Sequence, residues 1–343
     1  MDIKKKIFKE DINYIINTNL SWNKLKKKIV LVTGGNGFIA TYLIMSLLEI
    51  SKRFKLDLKV ISVIRKASKT KIEHPDLRII KKNIEDLSIS DIPRADIIIH
   101  AASKASPKYF KEESLDIIKA NIISTINLIE IAKKKSEKFL FISSGEVYGE
   151  VENSNILIDE NYYGKINHME NRSVYAESKR VGEIICNNSA KNKKLKIMIA
   201  RLFHTYGPGI NLEDGRVFSD FIHSVVKQKD IVLNSSGDSK RPFCYISDAV
   251  IGLFTILLKG KDSNTYNIAN PESEIKIKDL ALFLAQMSPD KKIIVKYNSI
   301  KNNSNPLKRQ KVSIEKIRKL NWIPKIGIQK GFKNTINYYK DGY

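Results

Sequence analysis

Short apolar runs rich in β-branched residues alternate with longer stretches of helical periodicity over roughly the first 200 residues. The apolar runs predict buried strands at 28–32, 60–64, 77–80, 97–100, 139–143 and 196–200. Helices are predicted between them, most clearly over 38–48, 117–133 and 175–190. Because this alternation is typical of parallel strands with crossover helices, it predicts an α/β fold with a doubly wound parallel sheet.

The pattern changes at both ends of this region. Residues before about Lys26 predict an added amphipathic helix, which we interpret as a packing or oligomerisation element. Its apolar face would consist of Phe8, Ile12, Ile15 and Ile16. From Phe203 onwards loops are more frequent, and helices are predicted around 218–227 and 248–258. This later part is expected to form a smaller, partly discontinuous C-terminal substrate-binding portion.

Length and cysteine content limit the class of protein. At 343 residues and 42% hydrophobic composition, the chain can bury one large core or two smaller ones. Cys186 and Cys244 are too few for a disulfide framework and form no C-x-x-C pair, so we expect a reducing cytoplasm and no metal site. No signal peptide is recognisable, and no run approaches the roughly 18 apolar residues of a membrane span, so we expect no membrane association.

The first predicted strand ends in a glycine cluster, where a helix is predicted to begin. Glycine is needed where a strand turns sharply into a helix and where backbone must approach a pyrophosphate. The pyrophosphate would lie at the helix N-terminus, where N–H groups and the helix dipole favour negative charge. The sequence therefore predicts a dinucleotide site on a Rossmann sheet. Its contacts would be Gly34, Gly35, Asn36, Gly37, Phe38 and Ile39.

The end of the second predicted strand bears on the choice between NAD and NADP. Enzymes that use NAD usually place an acid there to hold the ribose hydroxyls. Here Ile64 is followed by Arg65, and Asp57 precedes the strand and so points the wrong way. Arg65 would either pair with a 2′-phosphate or be an exposed arginine on a basic surface. We expect an NAD(P) cofactor, with NADP favoured over NAD.

Tyr175 and Lys179 are four residues apart on a predicted helix and so face the same side. A tyrosine whose pKa is lowered from about 10 by a nearby lysine can take a proton from a substrate hydroxyl as hydride leaves the carbon. The lysine can also hold the nicotinamide ribose. Ser144, at the end of the preceding strand, would orient the substrate and the tyrosine. These residues predict a hydride-transfer site.

The order of these motifs resembles the extended short-chain dehydrogenase/reductase family, also called the NAD-dependent epimerase/dehydratase family, which acts on nucleotide sugars. The resemblance covers about residues 28–340. Within that group the chain is most similar to the UDP-glucuronate decarboxylases. The segments that carry this likeness are 102–107, 144–149, 160–164, Tyr175 with 179–181, 214–217, 240–243 and 320–324.

The resemblance implies an enzyme in which Tyr175 oxidises a sugar at C4, so that the ketone makes the group at C5 labile. Glu146 would be the catalytic carboxylate, although a surface glutamate is the alternative. Arg241 resembles an arginine that contacts the diphosphate or the leaving carboxylate. The implied cofactor contacts outside the glycine loop are Arg65, Ile84, Ala101, Asn121 and Lys179. The implied substrate contacts are Ser103, His204, Arg216 and Arg241.

Four positions depart from the family pattern. Gly145 stands where dehydratases often have an aspartate and decarboxylases a serine, so the acid that would expel a C6 hydroxyl is missing. His204 replaces a common asparagine near the diphosphate, Gly209 a common arginine, and Asn83 an aspartate that faces the adenine.

Three hypotheses stay open: redox-neutral decarboxylation, dehydration or epimerisation; NADPH-dependent reduction of a 4-keto sugar nucleotide; and, more remotely, a non-catalytic dinucleotide-binding protein.

Charge and domain layout complete the expectations. The net charge of +23 comes from scattered lysines with no stacking aromatics between them, which favours attraction of a sugar nucleotide over nucleic-acid binding. The resemblance implies a homodimer through two helices packed across a two-fold axis.

We expect an N-terminal helical extension over 1–26 and a Rossmann domain over 27–202, to which 239–265 returns. The sugar-nucleotide-binding portion would cover 203–238 and 266–343.

Overall fold

The structure is a computed structural model that describes residues 3–69, 72–151, 156–190, 195–288, 292–298 and 311–340. The strands in these residues are β1 (Ile29–Thr33), β2 (Lys59–Ile64), β3 (Leu77–Lys81), β4 (Ile97–His100), β5 (Lys138–Ser144), β6 (Leu157–Ile158), β7 (Lys196–Leu202), β8 (Thr205–Tyr206), β9 (Ile231–Leu233), β10 (Lys240–Pro242), β11 (Cys244–Tyr245), β12 (Asn264–Ile268), β13 (Glu274–Lys276), β14 (Val295–Tyr297) and β15 (Lys311–Val312). The helices are α1 (Ile3–Ile16), α2 (Phe38–Arg53), α3 (Tyr109–Glu112), α4 (Ser114–Ile118), α5 (Ser124–Lys135), α6 (Ser173–Ser189), α7 (Val217–Val226), α8 (Ile246–Lys259), α9 (Ile277–Ala285), α10 (Glu315–Arg318) and α11 (Ile328–Lys340).

Seven strands form one parallel sheet in the order β12-β7-β5-β4-β1-β2-β3. The sheet is buried on both faces: Val30 and Val32 lie in the core under α2 and α8, and Leu31 lies in the core under α5 and α6. This explains why the strands read as continuous apolar runs. The prediction of a doubly wound parallel sheet is confirmed. Its order reverses between β1 and β4, and ligands bind at such a switch point.

The helix predicted over 117–133 is divided in the structure. Helix α4 ends at Ile118, a π-helical turn covers Lys119–Ile123, and α5 begins at Ser124. The wider π-turn changes the direction in which side chains leave the helix, and such turns often occur at functional sites. Here it contains Asn121, one of the residues assigned to the cofactor by resemblance.

Helix α1 packs against α2, α8 and α11. Ile12, Ile15 and Ile16 are buried in this contact, and Asp11 is buried among them. Asp11 Oδ2 accepts a hydrogen bond of 3.0 Å from the hydroxyl of Tyr42 and another of 3.0 Å from Tyr245. The N-terminal segment is therefore joined both to the helix that follows the glycine loop and to β11.

The later part of the chain adds two-stranded sheets beside the carboxyl ends of the central strands. Pairs β8–β11, β9–β14 and β6–β15 are parallel, and β10–β13 is antiparallel. Helices α7 and α9 pack together in this region. None of the helices in the described ranges combines the length and apolar character needed to cross a membrane. The domain boundaries given above stay a prediction.

Candidate active site

The turn from β1 into α2 has no room for side chains at two positions. Gly34 has φ +72°, and a Cβ there would lie 2.8 Å from Cα of Ala102. A Cβ on Gly35 would overlap Oγ of Ser62 on β2. Helix α2 then begins at Phe38 with no acidic residue in its first turn. This backbone cradle at a helix N-terminus fits the pyrophosphate of a dinucleotide.

The switch point beside this turn is held by a buried histidine. His100 lies within hydrogen-bond distance of Oγ1 of Thr33 (2.9 Å, from Nδ1) and of the carbonyl of Ala120 (3.2 Å, from Nε2). Burial, with a contribution from the charge of Lys179, lowers the pKa of His100 to about 3. The backbone N–H of Ala101 donates to the same Oγ1 at 3.1 Å. His100 is therefore a neutral bridge between β1, β4 and the π-turn.

Two buried polar atoms near this point fit a nucleotide ligand. Within the described residues, Oγ of Ser103 and Oδ1 of Asn121 have no hydrogen-bond partner in the protein. Asn121 is held by its amide nitrogen, which donates to Oγ of Ser178 at 2.9 Å. Because buried polar atoms are normally paired, a donor and an acceptor at these positions suit the hydroxyls or phosphates of a bound dinucleotide and substrate.

Arg65 and Ile84 lie on the β2–β3 side of the sheet. Arg65 follows β2 and is exposed, and Ile84 is partly buried in a 3₁₀ turn after β3. A hydrogen bond from Lys104 lowers the pKa of Asp116, and the charge of Arg65 contributes to the lowering. Arg65 is therefore close enough to α4 for its field to act on an acidic side chain there.

Ser144, Tyr175 and Lys179 come together where β5 ends beside α6. Tyr175 is 6% exposed, and its ring stacks on Phe110 with 5.4 Å between the centroids. The Ser144 side chain lies close enough to the Tyr175 hydroxyl to act on its pKa. Lys179 is 3% exposed, and its Nζ donates a hydrogen bond of 2.8 Å to the carbonyl of Ile142.

The electrostatics of this group differ from the sequence-based expectation that Lys179 lowers the pKa of Tyr175. Burial raises the pKa of Tyr175 to about 12; the nearby Ser144 side chain opposes this, the charge of Glu146 adds to it, and Arg216 opposes it. The Lys179 ammonium is 6.0 Å from the tyrosine ring centroid, and burial lowers the pKa of Lys179 to about 7. Lys179 is therefore a weak source of positive charge for the tyrosine at neutral pH.

Glu146 lies in the 3₁₀ turn that follows β5, where its backbone N–H donates to Oγ of Ser144 at 3.2 Å. Its carboxylate accepts two hydrogen bonds from Arg172, at 2.9 Å from Nε and 2.6 Å from Nη2. Burial opposes ionisation of Glu146, but Arg172, with smaller contributions from His204 and Arg241, outweighs it and lowers the pKa. Glu146 is thus an ionised carboxylate that is bonded to Arg172 and lies close to Arg241.

The predicted substrate contacts lie around this carboxylate and Tyr175. Arg216 donates through Nε and Nη2 to the buried carboxylate of Asp214, the former at 2.7 Å. His204 has φ +31°, and its ring lies 5.7 Å from that of Phe243. Burial lowers the pKa of Arg241 to about 10, an effect that Glu146 opposes and Arg172 reinforces. Arg216 is therefore paired with Asp214, whereas His204 and Arg241 lie close enough to Glu146 to act on its carboxylate.

Sequence reasoning missed two charged residues here, Arg172 and Glu183. Glu183 accepts hydrogen bonds from Ser143 (2.5 Å) and from Arg201 (2.9 and 2.6 Å). The available signal was helical spacing: Arg172 precedes Tyr175 by three residues, and Glu183 follows Lys179 by four. Both spacings place a charge on the helix face that carries the tyrosine and the lysine.

The NAD dependent epimerase/dehydratase family matches residues 30–269 of this chain. The chain belongs to this family. The relationship suggested by the motifs in 102–107, 144–149 and 214–217 is thereby confirmed. Among curated relatives, UDP-glucuronic acid decarboxylase 3 of Arabidopsis thaliana is 32% identical over 311 residues, which cover 88% of this chain and 86% of that protein.

Solved structures of this epimerase/dehydratase type have the same fold. An epimerase from Methanothermobacter thermautotrophicus superposes with a TM-score of 0.81 at 21% identity, covering 93% of this chain and 94% of the other. The UDP-glucuronic acid 4-epimerase of Bacillus cereus, solved with UDP-glucuronic acid and NAD, gives a TM-score of 0.77 at 24% identity, covering 92% and 100%. At 21% and 24% sequence identity, these similarities show a shared fold alone.

Proposed function

We propose that the protein is a nucleotide-sugar decarboxylase that acts on UDP-glucuronic acid with a bound nicotinamide dinucleotide. The observation that carries the proposal is the grouping of Ser144 and Tyr175 with Glu146, whose carboxylate is bonded to Arg172 and lies close to Arg241. Arginines beside the catalytic group suit a sugar that carries a carboxylate. The relative at 32% identity, named a UDP-glucuronic acid decarboxylase, supports the same substrate class.

Each side chain has a role in this scheme. Tyr175 takes the proton of the C4 hydroxyl, and Ser144 orients that hydroxyl and favours the phenolate. When bound, the oxidised dinucleotide supplies a positively charged ring that accepts the hydride from C4. A ketone at C4 makes the carboxyl group on C5 labile, because the electrons left by departing carbon dioxide can be delocalised onto the ketone oxygen. C5 then takes up a proton and C4 takes back the hydride, so that loss of carbon dioxide is the net change. Glu146 lies close enough to Tyr175 to act on the same part of the sugar.

The cofactor contacts assigned from the sequence are consistent with this proposal. Gly34 and Gly35 leave backbone open to the pyrophosphate, and Asn121 and Ser103 offer buried polar atoms. The preference for NADP over NAD stays a prediction that rests on Arg65, since no acid follows β2. Solved neighbours in the family contain NAD, and this makes identification of the bound dinucleotide the first experiment.

A second candidate is an NADPH-dependent reductase of 4-keto sugar nucleotides. Exposed Arg65 at the end of β2 favours it, since a guanidinium there can pair with a 2′-phosphate. Gly145, in place of the usual acid or serine, is compatible with it as well. A 4,6-dehydratase is less well supported, because the ring of Phe203 fills the space that any side chain at position 145 would need.

We also propose that the protein forms a homodimer through α5 and α6 and that it resides in the cytoplasm. Ile123 and Ile126 near α5 and Ile184 on α6 are large apolar side chains that are 43%, 46% and 57% exposed. A groove of about 440 Å³ between α4 and α6 includes Ile118 and Val181 in its lining. Exposed apolar residues of this kind on neighbouring helices are typical of a surface that is covered in an assembly.

Three experiments test the enzymatic proposal. Mass spectrometry of the nucleotide extracted from purified protein separates NAD from NADP. Incubation with UDP-glucuronic acid, without added cofactor, is expected to yield a product that has lost carbon dioxide. Tyr175→Phe should reduce turnover by about a thousandfold while folding and dinucleotide content are retained. Turnover that requires NADPH and a 4-keto substrate would support the reductase, and decarboxylation by Tyr175→Phe at the parent rate would exclude the tyrosine as base.

A further inference from the structure

Two arginines, Arg172 and Arg241, act on the carboxylate of Glu146, and Glu170 also acts on Arg172. Arg172 is bonded to this carboxylate, and His204 and Arg241 are close enough to help lower its pKa. Arg172 and Arg241 also repel each other, since the charge of Arg172 contributes to the lowered pKa of Arg241. An anionic group of a ligand near both guanidinium groups would reduce this repulsion.

Arg172 is placed to receive that carboxylate. It is the N-cap residue of α6, three residues before Tyr175, and its helical backbone angles place it on about the same face as the tyrosine. Tyr175 acts at C4 of the sugar, and the carboxylate of a uronic acid is attached to the adjacent carbon, C5. The Arg172 side chain is 57% exposed, whereas Glu146 is 20% exposed, so a ligand can reach the guanidinium while it holds Glu146.

The geometry of the pair allows Arg172 to bind two carboxylates at once. A guanidinium has five N–H donors, and Glu146 accepts from Nε and from one side of Nη2. The other edge, formed by Nη1 and the second N–H of Nη2, matches the two oxygens of another carboxylate. A neutral hydroxymethyl group at C5 cannot form such a charged, bidentate contact.

We propose that Arg172 is the residue by which this enzyme selects acidic sugars: its guanidinium binds the C5 carboxylate of the substrate while it remains bonded to Glu146. This rests on the proposed function, because it presupposes a nucleotide-linked uronic acid. It assigns substrate discrimination to the N-cap residue of α6, and it explains why Glu146 has an exposed arginine as its partner.

The test compares binding of UDP-glucuronic acid with that of UDP-glucose, which differs only at the group on C5. Tyr175→Phe protein is used as the parent so that substrate is not consumed, and dissociation constants are measured by calorimetry. Arg172→Gln is expected to weaken UDP-glucuronic acid by about ten- to a hundredfold and to leave UDP-glucose unchanged. Arg172→Lys, which keeps the charge but loses the bidentate edge, should weaken UDP-glucuronic acid alone, and by less.

Arg318→Gln is the matched control, since it also removes an exposed arginine that donates to a glutamate, Glu315, at 2.8 Å. It should change neither constant. Equal weakening of both ligands by the Arg172 variants, or no weakening, would overturn the inference and leave the proposed function standing. A parent that binds UDP-glucose as tightly as UDP-glucuronic acid would contradict the proposed function itself. If Arg172→Gln does not fold, as judged by circular dichroism, Arg172→Lys decides by the same criteria.

Discussion

Lys179 donates a hydrogen bond of 2.8 Å from its side-chain ammonium to the backbone carbonyl of Ile142, two residues before β5 ends at Ser144. The ammonium also lies 4.8 Å from the ring centroid of Phe141. These contacts fix the lysine beside Tyr175, but they do not replace the water lost on burial, and burial lowers the pKa of Lys179 to about 7. Burial of this lysine beside Tyr175 therefore lowers the stability of the fold at neutral pH.

Lys179→Met is expected to abolish turnover and to raise the melting temperature at pH 6 by roughly 2–4 °C. Between pH 7 and 10.5 the unfolded chain holds a proton on this lysine that the folded chain has lost, so wild-type stability decreases as the pH falls towards 7 and is lowest below it. The gain in the variant should therefore be largest at pH 6 and should vanish near pH 10.5. Differential scanning calorimetry across this range checks the prediction, with the partly exposed Lys133→Met as the control. A variant that is less stable than wild type at pH 6 contradicts the prediction.

Glu183→Gln should destabilise the protein by roughly 3–5 kcal/mol, because it leaves the guanidinium of Arg201 buried without its counter-charge. Ser143, which donates a hydrogen bond of 2.5 Å to Glu183, would lose a charged acceptor near the carboxyl end of β5. Urea denaturation measures the change. Glu177→Gln on the same helix removes only a partly exposed ion pair with Arg180 at 3.5 Å and should have little effect. Equal stability of the two variants would show that the buried pair does not act as described.

The sequence predicted the parts of the site that depend on local order along the chain. The glycine turn follows a β-branched run directly, and the spacing of Tyr175 and Lys179 places them on one helix face. The partner of Glu146 was not predictable in this way, since Arg172 is 26 residues away and meets it only after β5 and α6 pack together. The raised pKa of Tyr175 was missed for a related reason. It depends on how deeply the hydroxyl is buried, and the spacing of residues along the sequence does not reveal burial.

Gly145→Ser, which restores the residue that the resemblance associates with decarboxylases, is expected to lower both stability and turnover in this chain. A Cβ at position 145 would lie 2.5 Å from the ring of Phe203, which itself stacks on Tyr148. The combined variant Gly145→Ser with Phe203→Leu should recover part of the loss, because the smaller side chain gives the serine room. Thermal melting and turnover of the two single variants and the combined variant check this coupling. Strictly additive losses would show that the two positions do not compete for the same space.

Asp11→Asn is expected to stabilise the protein at pH 8 and to lose this advantage as the pH falls to 4. Burial raises the pKa of Asp11 from 3.8 to about 7, although hydrogen bonds from Tyr245 and Tyr42 oppose the rise. Between these values the unfolded chain has released a proton that the folded chain retains, so wild-type stability falls as the pH rises from 4 to 7. Asparagine keeps an acceptor for the two tyrosines and carries no proton to lose.

Urea denaturation of both proteins at several pH values between 4 and 8 isolates the contribution of Asp11, because every other carboxyl group is common to the pair. Glu112→Gln, an exposed glutamate on α3, serves as the control and should follow wild type. Asp11 joins α1 both to α2 and to β11. If Asp11→Asn disturbs the sugar-binding side more than the cofactor side, the KM for the sugar nucleotide changes while the dinucleotide content of the protein stays the same. A stability difference that is constant across the pH range would mean that Asp11 is ionised in the fold throughout.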